Sequence, residues 1–153
     1  MKLGNFISTD GVITKLKASS KKQVLQELAQ KAAEIIGVER RKIFDILVER
    51  ERLGTTGVGG GVAIPHGKVP NITRLYGLFA RAETAVEFDS IDGKPVDLIF
   101  LLLAPEAAGA DHLKALAKIS RLLKDPETCT KLRNSDSSDE IYAVLMQNPK
   151  GDA

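Results

Sequence analysis

Apolar and polar positions alternate through Val12, Ile13, Thr14, Lys15, Leu16, Lys17 and Ala18. That period of two, carried by β-branched residues behind an Asp10-Gly11 turn, predicts a half-buried strand. The period then changes. Val24, Leu25, Leu28, Ala29, Ala32, Ile35 and Ile36 recur at helical spacing, so a helix is expected to about residue 36. Ser20 and Gln23 form a capping box at its start, and Gly37 ends it. A second helix is expected from about 40 to 53, with Ile43, Phe44, Ile46, Leu47 and Leu53 on its apolar side. Its last turns carry Glu49, Arg50, Glu51 and Arg52, a run that reads first as a solvated face.

Beyond residue 54 the pattern becomes one of strands. Val62, Ala63 and Ile64 make a short apolar strand ending at Pro65. Residues 75–82 make a longer one, and Val86, Glu87 and Phe88 a short edge-like piece. After a turn at 91–95, residues 97–103 form an almost unbroken apolar run, the pattern of a strand buried on both faces. Helical spacing returns in Leu113, Leu116, Ala117, Ile119, Leu122 and Leu123, with Asp111 placed to cap that helix. Pro126 opens a short helix to about 133. A second capping box, Ser137 with Glu140, opens a last helix carrying Ile141, Val144 and Leu145. The tail after Asn148 reads as frayed. Helices precede, interrupt and follow the strands. The expected fold is therefore α/β, a mixed β-sheet flanked by helices on both faces in three layers. One domain is expected over 1–153, with its core at about 7–147.

Composition narrows the classes of function. Aromatic residues are only 5% and Trp is absent, so the core must rest on Leu, Ile, Val and Ala. The 22 Lys and Arg against 20 Asp and Glu leave a net charge of +2, too balanced to imply nucleic acid or an anionic membrane as partner. The single Cys129 excludes an internal disulfide and fits a reducing compartment. Two His and one Cys suit no closed zinc site, so neither a metal nor a cofactor is expected. Met1 is followed by no apolar signal region, and the run from Leu98 to Ala104 is too short to span a bilayer. A cytoplasmic protein without membrane insertion is expected.

The unusual chemistry lies between Gly54 and Gly67, in Gly-Thr-Thr-Gly-Val-Gly-Gly-Gly-Val-Ala-Ile-Pro-His-Gly. This stretch holds six of the thirteen glycines and one of the two histidines. Glycines at this density permit positive φ and close approach of backbone N–H groups to an anion; they suit a tight turn equally well. The standard nucleotide loops do not fit. Gly60 and Gly61 stand where a Walker A loop needs Lys and Ser or Thr, and Ile64 where the dinucleotide fingerprint needs glycine. A Ser-His-Asp hydrolase lacks its Gly-x-Ser-x-Gly elbow, and no His-x-x-x-His spacing points to a catalytic metal.

His66 is the distinguishing residue. Pro65 stiffens the chain ahead of it, and Gly67 is expected to let the chain turn away and leave the imidazole open. Free imidazole titrates near ~6.5, so a neutral ring nitrogen is available as nucleophile at neutral pH. Other groups suit a phosphoryl ligand. Arg50 can bind phosphate oxygens in pairs. Thr55 and Thr56 offer hydroxyls, and Gly57, Gly59, Gly60 and Gly61 offer loop N–H groups. His112 stands beside Asp111 at an expected helix N-terminus, which favours anions.

With these residues in view, the stretch from Gly54 to Lys68 resembles the active-site signature of phosphotransferase-system (PTS) IIA domains of the fructose/mannitol class. It is most similar to the nitrogen-regulatory branch, IIA-Ntr. The resemblance runs from about Ile7 to Leu145. It takes in Arg50-Glu51, the segment from Phe88 to Leu98, and Asp111-His112-Leu113. It implies a mixed sheet between helical layers and phosphorylation of His66 at Nε2 by an HPr-type phosphocarrier (NPr in the nitrogen branch), itself charged by enzyme I from phosphoenolpyruvate. Arg50 and His112 match family positions that line the phosphohistidine site. The implied activity is that of a phosphotransferase component rather than a stand-alone metabolic enzyme. Its implied regulatory partners are proteins such as potassium-transport proteins or sensor kinases, bound according to phosphorylation state. A sugar-specific IIA that passes phosphate to a separate IIB is one alternative; a non-catalytic anion- or protein-binding module is another. Gly60 departs from the family, where Asn is frequent.

Overall fold

The computed structural model describes residues 2–147; the tail expected to fray after Asn148 lies outside them. Two short 3-10 turns, Leu3–Asn5 and Thr9–Gly11, lead into β1 (Val12–Leu16). Helices α1 (Lys21–Ile36) and α2 (Arg40–Arg52) come next. The strands β2 (Gly57–Gly59), β3 (Val62–Ala63), β4 (His66–Val69), β5 (Tyr76–Val86) and β6 (Val96–Pro105) follow. Helices α3 (Ala110–Lys124), α4 (Pro126–Asn134) and α5 (Ser138–Met146) close the order. The six strands form a mixed sheet in the order β1-β5-β6-β3-β2, and β4 continues along the β6 edge on which β3 begins. β5 and β6 run antiparallel at the centre; β1 is parallel to β5, and β3 and β4 are parallel to β6.

Side-chain alternation along β6 sorts the molecule into three layers. Leu98, Phe100 and Leu102 enter the core under α3, α4 and α5, while Ile99, Leu101 and Leu103 enter the core under α1 and α2. None of the six is more than 1% exposed. Each contributes roughly 1.5–3 kcal/mol of burial, so β6 is the spine on which the site is mounted. The expected α/β sandwich of a mixed sheet between helices is the observed fold.

Local chemistry explains the helix ends, with some adjustments. Ser20 accepts from the Gln23 N–H as expected, but the Gln23 amide oxygen accepts from the N–H and hydroxyl of Ser19, one residue earlier. The last helix repeats this: Ser137 accepts from the Glu140 N–H, and the Glu140 carboxylate accepts from the Asp136 N–H. Gly37 ends α1 in the left-handed region at φ 73. Asp111 does not cap α3; Gly109 does, without a side-chain bond, and Asp111 stands in the first turn. There its charge still favours the positive end of the helix. Val86 is no separate edge piece but the last residue of β5, paired with Val96 beyond a register shift. No helix among the described residues is long and apolar enough to cross a membrane.

Candidate functional site

The C-terminal turns of α2 aim two of their four charges inward. Ile43 and Leu47 are fully buried, and Arg50 and Glu51 follow Leu47 by three and four residues, on the same helical stripe. Glu49 and Arg52 point to solvent and pair with each other at 2.6 Å. The run that reads as a solvated face is thus half face and half site. Helical phase, counted from Ile43 and Leu47, is the signal that separates the two halves.

β3 and β4 pair in succession with the same side of β6, interrupted at Ile64-Pro65. The Ile64 N–H donates to the Thr56 carbonyl, and the Leu102 N–H donates to the Pro65 carbonyl, both at 3.0 Å. His66 then opens β4 opposite Leu102. The turn-away expected at Gly67 does not occur. Gly67 is buried inside β4, and a Cβ there would stand 2.5 Å from Ile46 Cγ2. Its missing side chain lets α2 pack close on β4, and that approach brings Arg50 to His66.

The His66 ring is held at both nitrogens. Nδ1 lies 2.8 Å from the Ile64 carbonyl oxygen. A carbonyl only accepts, so Nδ1 carries the proton and donates. Nε2 keeps its electron pair, and Arg50 Nε donates to it at 3.2 Å. Arg50 is itself steadied by Nη1, which donates to the Gly54 carbonyl at 2.9 Å. Burial foremost, and the Arg50 guanidinium further, hold the His66 pKa below the usual 6.5, against the opposing pull of the Ile64 carbonyl and Glu51. The ring is neutral at pH 7, with its nucleophilic electron pair on Nε2.

His112 reaches the same place from α3. The two imidazole centroids are 5.7 Å apart, edge to face at 67°. His112 is buried and its Nε2 has no hydrogen-bond partner among the described residues. Burial, then the neighbouring His66 and Lys68, lower its pKa. An unsatisfied buried polar atom costs about 1–3 kcal/mol, and here it lies on the ring packed against the candidate nucleophile.

Much of the rest of the glycine-rich stretch has partners within the fold. The Thr55 hydroxyl donates to the Phe88 carbonyl at 2.8 Å and accepts from the Gly57 N–H at 3.0 Å. The Thr56 hydroxyl is buried and donates to the Glu51 carboxylate. Gly57 is a packing glycine, since a Cβ there would stand 2.5 Å from Ser90 Oγ. Gly59, Gly60 and Gly61 all have positive φ and make the β2–β3 hairpin turn. The Gly60 N–H donates to Asp92 and its carbonyl accepts from Arg133, while the Gly61 carbonyl accepts from the N–H groups of Asp97 and Leu98. His66 pairs with Leu102. Leu98 to Leu102 spans four residues of β6, roughly 13 Å. The hairpin glycines therefore do not line the His66 site. At Gly60 no atom lies within 4 Å of an added Cβ, and φ is 68. Asn tolerates that backbone, so the family's frequent Asn would fit there.

Residues 5–148 match the family model described as the phosphoenolpyruvate-dependent sugar phosphotransferase system, EIIA 2. The chain belongs to that family of phosphotransferase IIA domains. Within it the likeness is to the nitrogen-regulatory branch. A nitrogen regulatory protein of Bradyrhizobium diazoefficiens is 54% identical over 149 residues, which cover 97% of each chain. The crystal structure of nitrogen regulatory protein IIA-Ntr from Neisseria meningitidis matches with a TM-score of 0.89 at 34% identity, over 94% of this chain and 98% of that one. IIA mannitol from Escherichia coli, at 20% identity and a TM-score of 0.76 over 90% of this chain and 97% of that one, shares the fold.

Proposed function

We propose that this protein is a cytoplasmic phosphohistidine carrier. It accepts a phosphoryl group on His66 Nε2 from an HPr-type phosphocarrier (NPr in the nitrogen branch) and binds partner proteins according to its phosphorylation state. The observation that carries the reading is the fixed ring. The Ile64 carbonyl keeps the proton on Nδ1, leaving the Nε2 electron pair beside Arg50 and His112.

In the step, a bond forms between His66 Nε2 and phosphorus as the donor's phosphorus–nitrogen bond breaks, and the donor nitrogen recovers its electron pair. The transition state is loose and in line, so positioning and charge neutralisation carry most of the acceleration. The attacking nitrogen has no proton to lose, and Nδ1–H stays on the Ile64 carbonyl throughout. Arg50 Nε–H passes from Nε2 to a phosphoryl oxygen while Nη1 remains on Gly54, a charge-assisted contact that strengthens as charge accumulates. His112 supplies a further hydrogen bond to the phosphoryl group. Leu53 and Leu113 follow Arg50 and His112 in the chain and are 85% and 69% exposed. The proposed donor-docking surface takes its apolar contacts from these two exposed leucines.

The test is incubation with phosphoenolpyruvate, enzyme I and the HPr-type donor. The intact mass should rise by one acid-labile phosphoryl group, and His66→Ala should abolish the rise. An unchanged mass under conditions that charge a control IIA sinks the carrier reading. Onward transfer to a sugar-specific IIB would shift the assignment to sugar uptake.

A further inference from the structure

We infer that Glu51 is a positioning residue for phosphoryl transfer, its carboxylate setting both ends of the His66 ring through two short chains of hydrogen bonds. The inference rests on His66 being the phosphoryl acceptor.

The Glu51 side chain is only 7% exposed. Its Oε1 accepts from the Thr56 N–H at 3.0 Å and pairs with Lys21 Nζ at 2.9 Å, and its Oε2 accepts from the Thr56 hydroxyl. A buried carboxylate is tolerated when its oxygens are engaged in this way. Thr56 passes the constraint on. Its carbonyl accepts from the Ile64 N–H, and the Ile64 carbonyl accepts from His66 Nδ1. That chain fixes which nitrogen holds the proton.

The second chain runs through Arg50, the neighbour of Glu51 on α2. Arg50 Nη1 donates to the Gly54 carbonyl, and Nε donates to His66 Nε2. The turn from Arg50 to Thr56 is therefore closed twice, once by each of the adjacent side chains. With Thr56 clamped by Glu51, the Gly54 carbonyl stays where Arg50 needs it. Lys21 anchors the whole to α1: its ammonium lies 4.8 Å from the Phe88 ring centroid and 3.8 Å from the Asp89 carboxylate. The Phe88 carbonyl in turn holds the Thr55 hydroxyl. Among the described residues, the charged or titratable groups bearing on His66 are Arg50 and Glu51 from α2 and His112 from α3, and Lys68 from β4 bears on His112.

The test uses the full chain as Glu51→Gln and Thr56→Val. Three readouts are needed: single-turnover transfer from the phosphorylated donor across donor concentrations, NMR titration of the His66 ring, and thermal unfolding. Glu51→Gln should lower the maximal transfer rate roughly 10- to 100-fold. The half-saturating donor concentration should not change, because the docking surface is untouched. The His66 titration midpoint should fall, since a negative charge favouring the imidazolium is gone. Thr56→Val keeps the carboxylate and nearly the same volume, and should lose several-fold in maximal rate. A folded Glu51→Gln with the wild-type maximal rate overturns the inference. If Glu51→Gln does not fold, Thr56→Val decides: a several-fold loss supports positioning, and a wild-type rate overturns it. A wild-type chain that accepts no phosphoryl group refutes the carrier reading instead. The titration then judges Glu51 alone, an unchanged midpoint in Glu51→Gln overturning its coupling to His66.

Discussion

Two turns flank β2 on the chain leading to His66, and they are built from opposite materials. The turn from Arg50 to Thr56 has one glycine and is closed by charged side chains. The turn from Gly59 to Gly61 has three consecutive glycines and is closed by its own backbone with Asp92, Asp97 and Arg133. Counting glycines directs attention to the second turn, whereas the proposed chemistry uses Arg50 from the first. An anion site needs donors that folding has left over. The hairpin spends its polar backbone atoms on the fold, and its glycines serve positive φ. A guanidinium offers five N–H donors, of which the His66 and Gly54 bonds use two.

The contrast is broken most directly at Arg50. Arg50→Ala should slow phosphoryl transfer roughly 100- to 1000-fold, the cost of losing a donor aimed at developing charge. Its melting temperature should stay near the wild-type value. Wild-type transfer in single-turnover measurements would remove the near turn from the chemistry.

A smaller effect separates the two turns by pH. The folded pKa of His66 lies below the usual 6.5. Protonation therefore favours the unfolded chain: stability is full above about 6.5 and is lost as pH falls from there through the folded value. His112 has the same sign. The neutral His66 ring accordingly persists below pH 6.5, and the proposed transfer should persist at a pH where an ordinary histidine is mostly protonated. Asp92 is held below the usual 3.8 by the Gly60 N–H first and the Lys94 N–H second, so the hairpin bond persists until far more acidic pH. Melting temperature against pH should fall more steeply in wild type than in His66→Gln below 6.5. Parallel curves would show that His66 is not the group responsible.

The smallest effect belongs to the far turn. Arg133 donates to both Asp97 oxygens at 2.8 and 2.9 Å, but both side chains are partly exposed. Arg133→Ala should cost about 0.2–1 kcal/mol by denaturant unfolding and leave the transfer rate unchanged. A slowed rate would mean that the hairpin does reach the site.

Much of this was legible in the chain. The apolar run of β6, the caps at Ser20 and Ser137, and the start of α4 at Pro126 all follow from residue types and from spacings of a few positions, and residue type marked Arg50, His66 and His112 as candidates. Those signals report local backbone preference and side-chain chemistry, which neighbours in sequence decide. Gly67 was misread as a release point because its neighbour Ile46 belongs to another element. β2 left no pattern, since Gly57 and Gly59 have no side chains to alternate. Glu51 looked solvated until its phase on α2 was referred to a buried face.

The sequence by itself determined most of the order of elements, a mixed sheet with helices on both faces, and the residue types that make a phosphoryl site conceivable. Only the tertiary structure decided that Arg50, Glu51, His66 and His112 would come together and that the hairpin glycines would stay roughly 13 Å along the strand from His66. The reason is physical. Burial and capping are set within a turn or two of chain, whereas a site assembled from two helices and an edge strand depends on how those helices pack on the sheet.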